Sequence, residues 1–368
     1  MKNGKSLPKV FCPVPFASLI LNPNGHVGSC RELGIGHVLG NIHENTIEEI
    51  WNNKKFRDWR LEFLTGNIVT CKEYINHNSC NKLHSNLDLL PYIDASEVVK
   101  TPILRLSPDI NGFCNLQCPF CNIWARPNHE YDKIDGFWEH LKKHIIPNLI
   151  QIDPLAGEPF LQPDLYKIIN LAADSNPALS WRFTTNAQWS LSESIKSHLR
   201  KIKINRISVS LDTVDPKTYE SIRAPGKLGN ALKTIDDLKL FQKEKDFHLE
   251  INFSIQRENA FQIIEMLNFC EENNLFPFVQ YVYSPENLSP STLGLAQRKK
   301  ILKYYFSKMS QRELLISHRV LRALLETFRN NLQIKYFKML DLLTEGKFSR
   351  LITAASSIVP SFEKNSEV

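Results

Sequence analysis

The stretch NRISVSLD, residues 205–212, decides the fold. Its run ISVSL suits a strand covered on both faces rather than one with a wet side. Strands of that kind belong to parallel sheets, which need helical crossovers between neighbours. The flanking sequence supplies them. SESIKSHLRKI precedes the strand and NALKTIDDLKLFQKE follows it, each with apolar residues at helical spacing.

The same alternation continues in both directions. ILRL (103–106) is the first short strand, DGFWEHLKKHII leads into LIQIDPL (149–155), and LYKIINLAAD leads into LSWRFTTN (179–186). Beyond the central strand come HLEINFSI (248–255), the helical NAFQIIEMLNFCEEN and FPFVQYVY (276–283). Six β/α units in succession predict an α/β fold, a partial (β/α)6 TIM-type barrel too short for eight-fold closure. Functional groups are then expected at the C-terminal ends of the strands.

The chain has 368 residues, enough for one large domain and a smaller one. We expect an irregular N-terminal module over 1–95, the barrel over 96–290, a helical extension over 291–358 and a disordered tail over 359–368. Within the first region TIEEIWNNKKFRDWRLEFLTG (46–66) reads as one helix, with Thr46 as its cap and Gly66 as its stop. A net charge of +6 without a dense basic tract gives no indication of nucleic-acid binding. No apolar run is long enough to span a membrane. The run VFCPVPFASLIL is broken by Pro13 and Pro15 and does not read as a secretion signal, so a cytoplasmic location is expected.

Eight cysteines stand at 12, 30, 71, 80, 114, 118, 121 and 270. Cys270 sits alone in a helical pattern and reads as a small buried hydrophobe. Cys114, Cys118 and Cys121 form CxxxCxxC directly after the first strand. A structural zinc takes four ligands and a disulfide two, so three thiols suggest a metal centre with one position open. A [4Fe–4S] cluster on three thiolates has that property.

This spacing, in this place, resembles the signature of the radical S-adenosylmethionine (radical SAM) superfamily. Later strand ends carry further likenesses. LAGEP (155–159) resembles the family's GGEP turn, with Ala156 replacing the first glycine and Gly157 and Glu158 kept. Asn186 in FTTNA, Ser210 and Asp212 in SLD, Arg223 in YESIR and Gln256 in SIQRENA fall where family members contact the cofactor. Phe120, between the second and third cysteines, resembles the aromatic that packs by the adenine. The resemblance implies that Glu158 helps receive the cofactor's ammonium and that Arg223 meets its carboxylate.

Cys12, Gly25 and Cys30 form C-x12-G-x4-C, followed by CKEYINHNSC with Cys71 and Cys80. This resembles the SPASM/Twitch module, which binds auxiliary iron–sulfur clusters, here placed before the barrel. Tyr74 and His84 stand where a two-cluster module would have cysteines, leaving four thiols, the number that closes one [4Fe–4S] cluster. A four-cysteine zinc site is the competing occupant.

The implied activity is reductive cleavage of S-adenosylmethionine to a 5′-deoxyadenosyl radical, then hydrogen abstraction from a peptide or a sugar-like small molecule. A net oxidation or cross-link would follow. An external donor such as flavodoxin or ferredoxin would supply the electron. A non-catalytic zinc or iron–sulfur binding protein is the alternative. The sequence does not name a catalytic acid or base.

Overall fold

The computed structural model describes residues 7–8, 10–34, 36–72 and 87–328. Cys80, Tyr74, His84 and the expected C-terminal tail lie outside these residues. A single nine-stranded sheet runs in the order β3-β2-β1-β4-β5-β6-β7-β8-β9. Its last six strands are the expected barrel: β4 (Arg105–Pro108), β5 (Gln151–Ile152), β6 (Ser180–Thr185), β7 (Lys203–Ser210), β8 (His248–Ile255) and β9 (Phe276–Tyr281). Every neighbouring pair from β4 to β9 is parallel. In β7, Ile207, Val209 and neighbouring Ser208 and Ser210 are all buried, as a strand covered on both faces requires.

Helices complete each crossover, including Pro163–Ser175, Leu228–Gln242 and Ile263–Glu272. Cys270 lies in the last of these, and burial pushes its thiol up to about 12. After β9 the helices Leu295–Lys308, Gln311–Ile316 and His318–Glu326 begin the helical extension.

The N-terminal region differs from expectation in two ways. It contributes strands: β1 (Ser18–Leu21) pairs in parallel with β4, and β2 (His26–Gly28) and β3 (Gly40–Asn41) continue the sheet antiparallel. The strand pairing therefore crosses the boundary expected at residues 95 and 96. The expected helix over 46–66 is also two helices, Ile47–Trp51 and Lys54–Thr65. Asn53 breaks it because its side chain accepts from the Phe56 amide at 3.0 Å and so caps a second start. Thr46 and Glu49 close a capping box at the first start, and Gly66 ends the second helix with a φ of 77°.

Arg60 ties this region together. Its guanidinium is wholly buried and donates to the carbonyls of Pro15 (2.8 Å), Trp51 (2.6 Å) and Glu97 (3.3 Å) and to the Asn52 side chain (2.8 Å). It lies 4.6 Å from the Trp51 ring centroid and 5.0 Å from that of Phe56. Burial lowers it to about 10, and the carbonyl oxygens take the place of a carboxylate.

Candidate iron–sulfur and cofactor site

After β4 the chain enters the cysteine loop, which neighbouring strand ends hold in place. Gln117 donates its amide to the Ala224 carbonyl at 2.6 Å, and Asn115 Nδ2 donates to the Gln188 carbonyl at 2.6 Å. Inside the loop Leu116 N donates to the Cys114 sulfur at 3.4 Å, and Cys121 N to the Cys118 carbonyl at 3.0 Å. Cys118 is buried, Cys114 half-buried and Cys121 exposed. Burial pushes the Cys114 thiol up to about 11 and raises Cys118 as well, while Arg223 beside Cys118 draws it back. As bare side chains Cys114 and Cys118 are protonated thiols, so a bound metal is what would make them ligands.

The turn after β5 faces this loop. Gly157 adopts a φ of +65°, and a Cβ there would overlap the Phe113 carbonyl oxygen. Only glycine fits. Glu158 donates its amide to that same carbonyl at 2.8 Å, and Gln162 Nε2 reaches it at 3.0 Å. The Glu158 side chain turns inward and has no exposed surface. It accepts from Thr185 Oγ1 at 2.8 Å and from the amides of Asn186 (2.7 Å) and Phe160 (3.3 Å). Burial nevertheless pushes its carboxyl up to about 7.

Asn186, past the end of β6, donates to Asn115 Oδ1 at 2.9 Å and approaches the Cys114 sulfur at 3.5 Å. Asp212, after β7, has a left-handed φ of 61°. Its carboxylate accepts from Arg223 Nε (2.6 Å) and from the Ser254 amide (2.7 Å). Burial works against the Arg223 charge, but Asp212 and Cys118 raise its pKa above the ordinary value. The guanidinium lies 5.1 Å from the Phe120 ring centroid. Gln256 is buried after β8, and among the described residues its Nε2 meets no hydrogen-bond partner.

These elements enclose a cavity of about 400 Å³, within the range of small-molecule sites. Cys114, Cys118 and Cys121 line it, and so do Phe120, Gly157, Asn186, Ser210 and Arg223. Glu158, Asp212 and Gln256 stand behind this wall and do not line it. Glu158 instead pins the end of β6, and Asp212 orients Arg223. The opposite wall belongs to the N-terminal region, through Ile20, Asn22, Gly28, Cys30 and Arg31. Sequence reasoning missed Arg31 and Asp109, which also line the cavity. Asp109 follows the true end of β4, two residues beyond the strand expected at 103–106, and that placement would have marked it.

Among the described residues, donor atoms of three or more His, Cys, Asp or Glu come within 4.8 Å of one another at His129, Asp132 and Asp164. Three thiols on one cavity wall are the donor set of a cluster that keeps one iron without a protein ligand. Cys12 and Cys71 are buried in the main core, and Cys30 packs against it.

Residues 110–255 match the family model of the Radical SAM superfamily, and residues 12–82 match SPASM, an iron-sulfur cluster-binding domain. A barrel with a three-thiol site, joined to a second iron–sulfur module, is the class these define. The chain is a radical SAM protein with its SPASM module at the N-terminus, and these domains imply [4Fe–4S] clusters and S-adenosylmethionine. A probable GTP 3',8-cyclase of Methanococcus maripaludis is 34% identical over 189 residues, covering 50% of this chain and 60% of the relative. The GTP 3',8-cyclase of Sulfurovum sp. is 25% identical over 186 residues, covering 49% and 54%. The chain thus spans little more than half the length of these curated relatives. Streptococcus suis SuiB bound to S-adenosylmethionine has a TM-score of 0.42 at 18% identity, covering 84% of this chain and 71% of that one. Native anSMEcpe with bound AdoMet has a TM-score of 0.41 at 17% identity, covering 59% and 62%.

Proposed function

We propose that this protein is an enzyme that cleaves S-adenosylmethionine reductively and takes a hydrogen atom from a peptide segment or a sugar-like small molecule. The observation that carries the reading is the convergence on one cavity of three thiols from the β4 loop and groups from the ends of β5, β6 and β7. When bound, a [4Fe–4S] cluster on Cys114, Cys118 and Cys121 would supply the single electron that reductive cleavage of the cofactor requires.

The chain's own groups bind and orient. Arg223, fixed by Asp212, presents a cation to a carboxylate. Phe120 gives an apolar face beside it, while the Gly157 backbone, the Asn186 amide and the Ser210 hydroxyl offer polar contacts along the same wall. The N-terminal hairpin covers the far side and limits water.

Cys12, Cys30, Cys71 and Cys80 would hold a closed second cluster. Such a cluster would supply an acceptor for the second electron of a two-electron oxidation or cross-link, the accompanying proton passing to solvent. Flavodoxin or ferredoxin would supply the first electron.

Anaerobic reconstitution and chromatography test this. Reduced wild type should form 5′-deoxyadenosine slowly without substrate, with iron and sulfide near about eight each per chain. Cys114→Ala/Cys118→Ala/Cys121→Ala should form none and retain about four of each. Full iron content in the triple variant would refute the assignment.

A further inference from the structure

The residue after Cys30 reaches across to the barrel. Both terminal nitrogens of Arg31 donate to the Asp109 carboxylate, one to Oδ2 and the other to Oδ1 at 3.3 Å. The second nitrogen also donates to the Asp153 carbonyl at 2.9 Å. Asp109 is buried, and its Oδ1 accepts from the amides of Leu155 (2.9 Å) and Ala156 (3.1 Å). Those amides begin the turn that carries Gly157 to the cavity wall.

We propose that Arg31 is a positioning residue through which the N-terminal module holds the cofactor-binding turn in shape. The inference rests on the function proposed above and gives the module a task besides electron transfer. Its physical basis is the cost of a buried carboxylate. Asp109 holds two backbone amides from a buried position, where a carboxylate is costly without a paired cation. Among the described residues Arg31 is the cation that meets it, because Arg105 is engaged by the Asp153 carboxylate, which also accepts from Ser107 Oγ at 2.6 Å. Burial opposes ionisation of Asp153, yet Arg105 and Arg31 draw it down to about 2, so Asp153 keeps its own charge for Arg105.

Without Arg31 the Asp109 carboxylate loses the two donors that fix its orientation, so it can turn toward water and loosen its grip on Leu155 and Ala156. The geometry is also two-pronged. Lysine would keep the charge but lose the fork, so it should restore part of the effect. Arg31 opens the short helical turn Arg31–Leu33, directly after a cysteine expected to hold the auxiliary cluster. A shift of that loop would reach the cofactor turn through one side chain.

Hydrogen exchange of the metal-reconstituted full chain, read on peptides covering 154–160 and 203–210, tests this beside S-adenosylmethionine affinity by equilibrium dialysis. Arg31→Ala should speed exchange of the Leu155 and Ala156 amides by about tenfold while β7 stays as protected as in wild type. The cofactor dissociation constant should rise about five- to twentyfold, and Arg31→Lys should fall between. Wild-type exchange at 155–156 together with wild-type affinity in Arg31→Ala would overturn the proposal. Failure of wild type itself to bind S-adenosylmethionine would instead remove the proposed function, and the exchange measurement would still decide what Arg31 holds.

Discussion

The Arg223 Nε donates to Asp212 Oδ2 at 2.6 Å, and the accepting carboxylate has no exposed surface. The pair therefore has a structural duty as well as a binding one. Arg223→Ala should lower stability by about 3–5 kcal/mol, because it leaves a buried charge uncompensated. Asp212→Asn/Arg223→Gln should cost clearly less than the two single changes added together. Urea denaturation of wild type, Arg223→Ala, Asp212→Asn, Arg223→Gln and the double variant measures this, and additive costs of Asp212→Asn and Arg223→Gln would show that the pair is not coupled.

Gly157→Ala should disturb the cysteine loop from a distance in sequence. Its methyl group would meet the Phe113 carbonyl, one residue before Cys114. We expect a stability loss of about 2 kcal/mol or more and poorer assembly of the triad cluster, with the N-terminal metal unaffected. Metal analysis of purified variants decides it. A Gly157→Ala protein with full iron and normal stability would mean that the turn has slack.

Glu158 makes stability depend on pH. Its folded carboxyl holds a proton up to about 7, against an ordinary value of 4.5. Between those values the native state binds more protons than the unfolded chain, so this group's contribution falls as pH rises through that window. The stability of wild type relative to Glu158→Gln should therefore be greater at pH 5 than at pH 8. Chemical denaturation across that range should show the curves converging or crossing. Parallel curves would place the Glu158 titration elsewhere.

Arg60→Ala should unfold the N-terminal module first. Its removal takes a donor from three carbonyls and one of two donors from the Asn52 amide oxygen, which keeps the Val99 amide, at about 3–5 kcal/mol in all. Limited proteolysis should cut within the first hundred or so residues before the barrel, and equal resistance of both regions would contradict this.

Local signals were legible in the sequence, and distant pairings were not. HLEINFSI gave β8 to the residue, because an apolar strand between two helices has one reading. The cysteine triad and the strand-end polar residues were legible from their order along the chain. The strand SLIL was read only as part of a proline-broken apolar run, because its partner β4 lies more than eighty residues away. Arg31 and Asp109 are 78 residues apart, and nothing local in either marks the other. The inward turn of Glu158 was equally hidden. It follows from three donors converging beneath the turn, which the motif alone does not show.

The open iron on Cys114, Cys118 and Cys121 is tested most directly by electron–nuclear double resonance on the reduced protein with S-adenosylmethionine labelled with 17O in its carboxylate. Wild type should show a hyperfine coupling between the cluster and the label. Cys114→Ala/Cys118→Ala/Cys121→Ala should lose that coupling while an auxiliary-cluster signal remains. A wild-type protein with both clusters assembled and no coupling to the bound label would contradict the assignment.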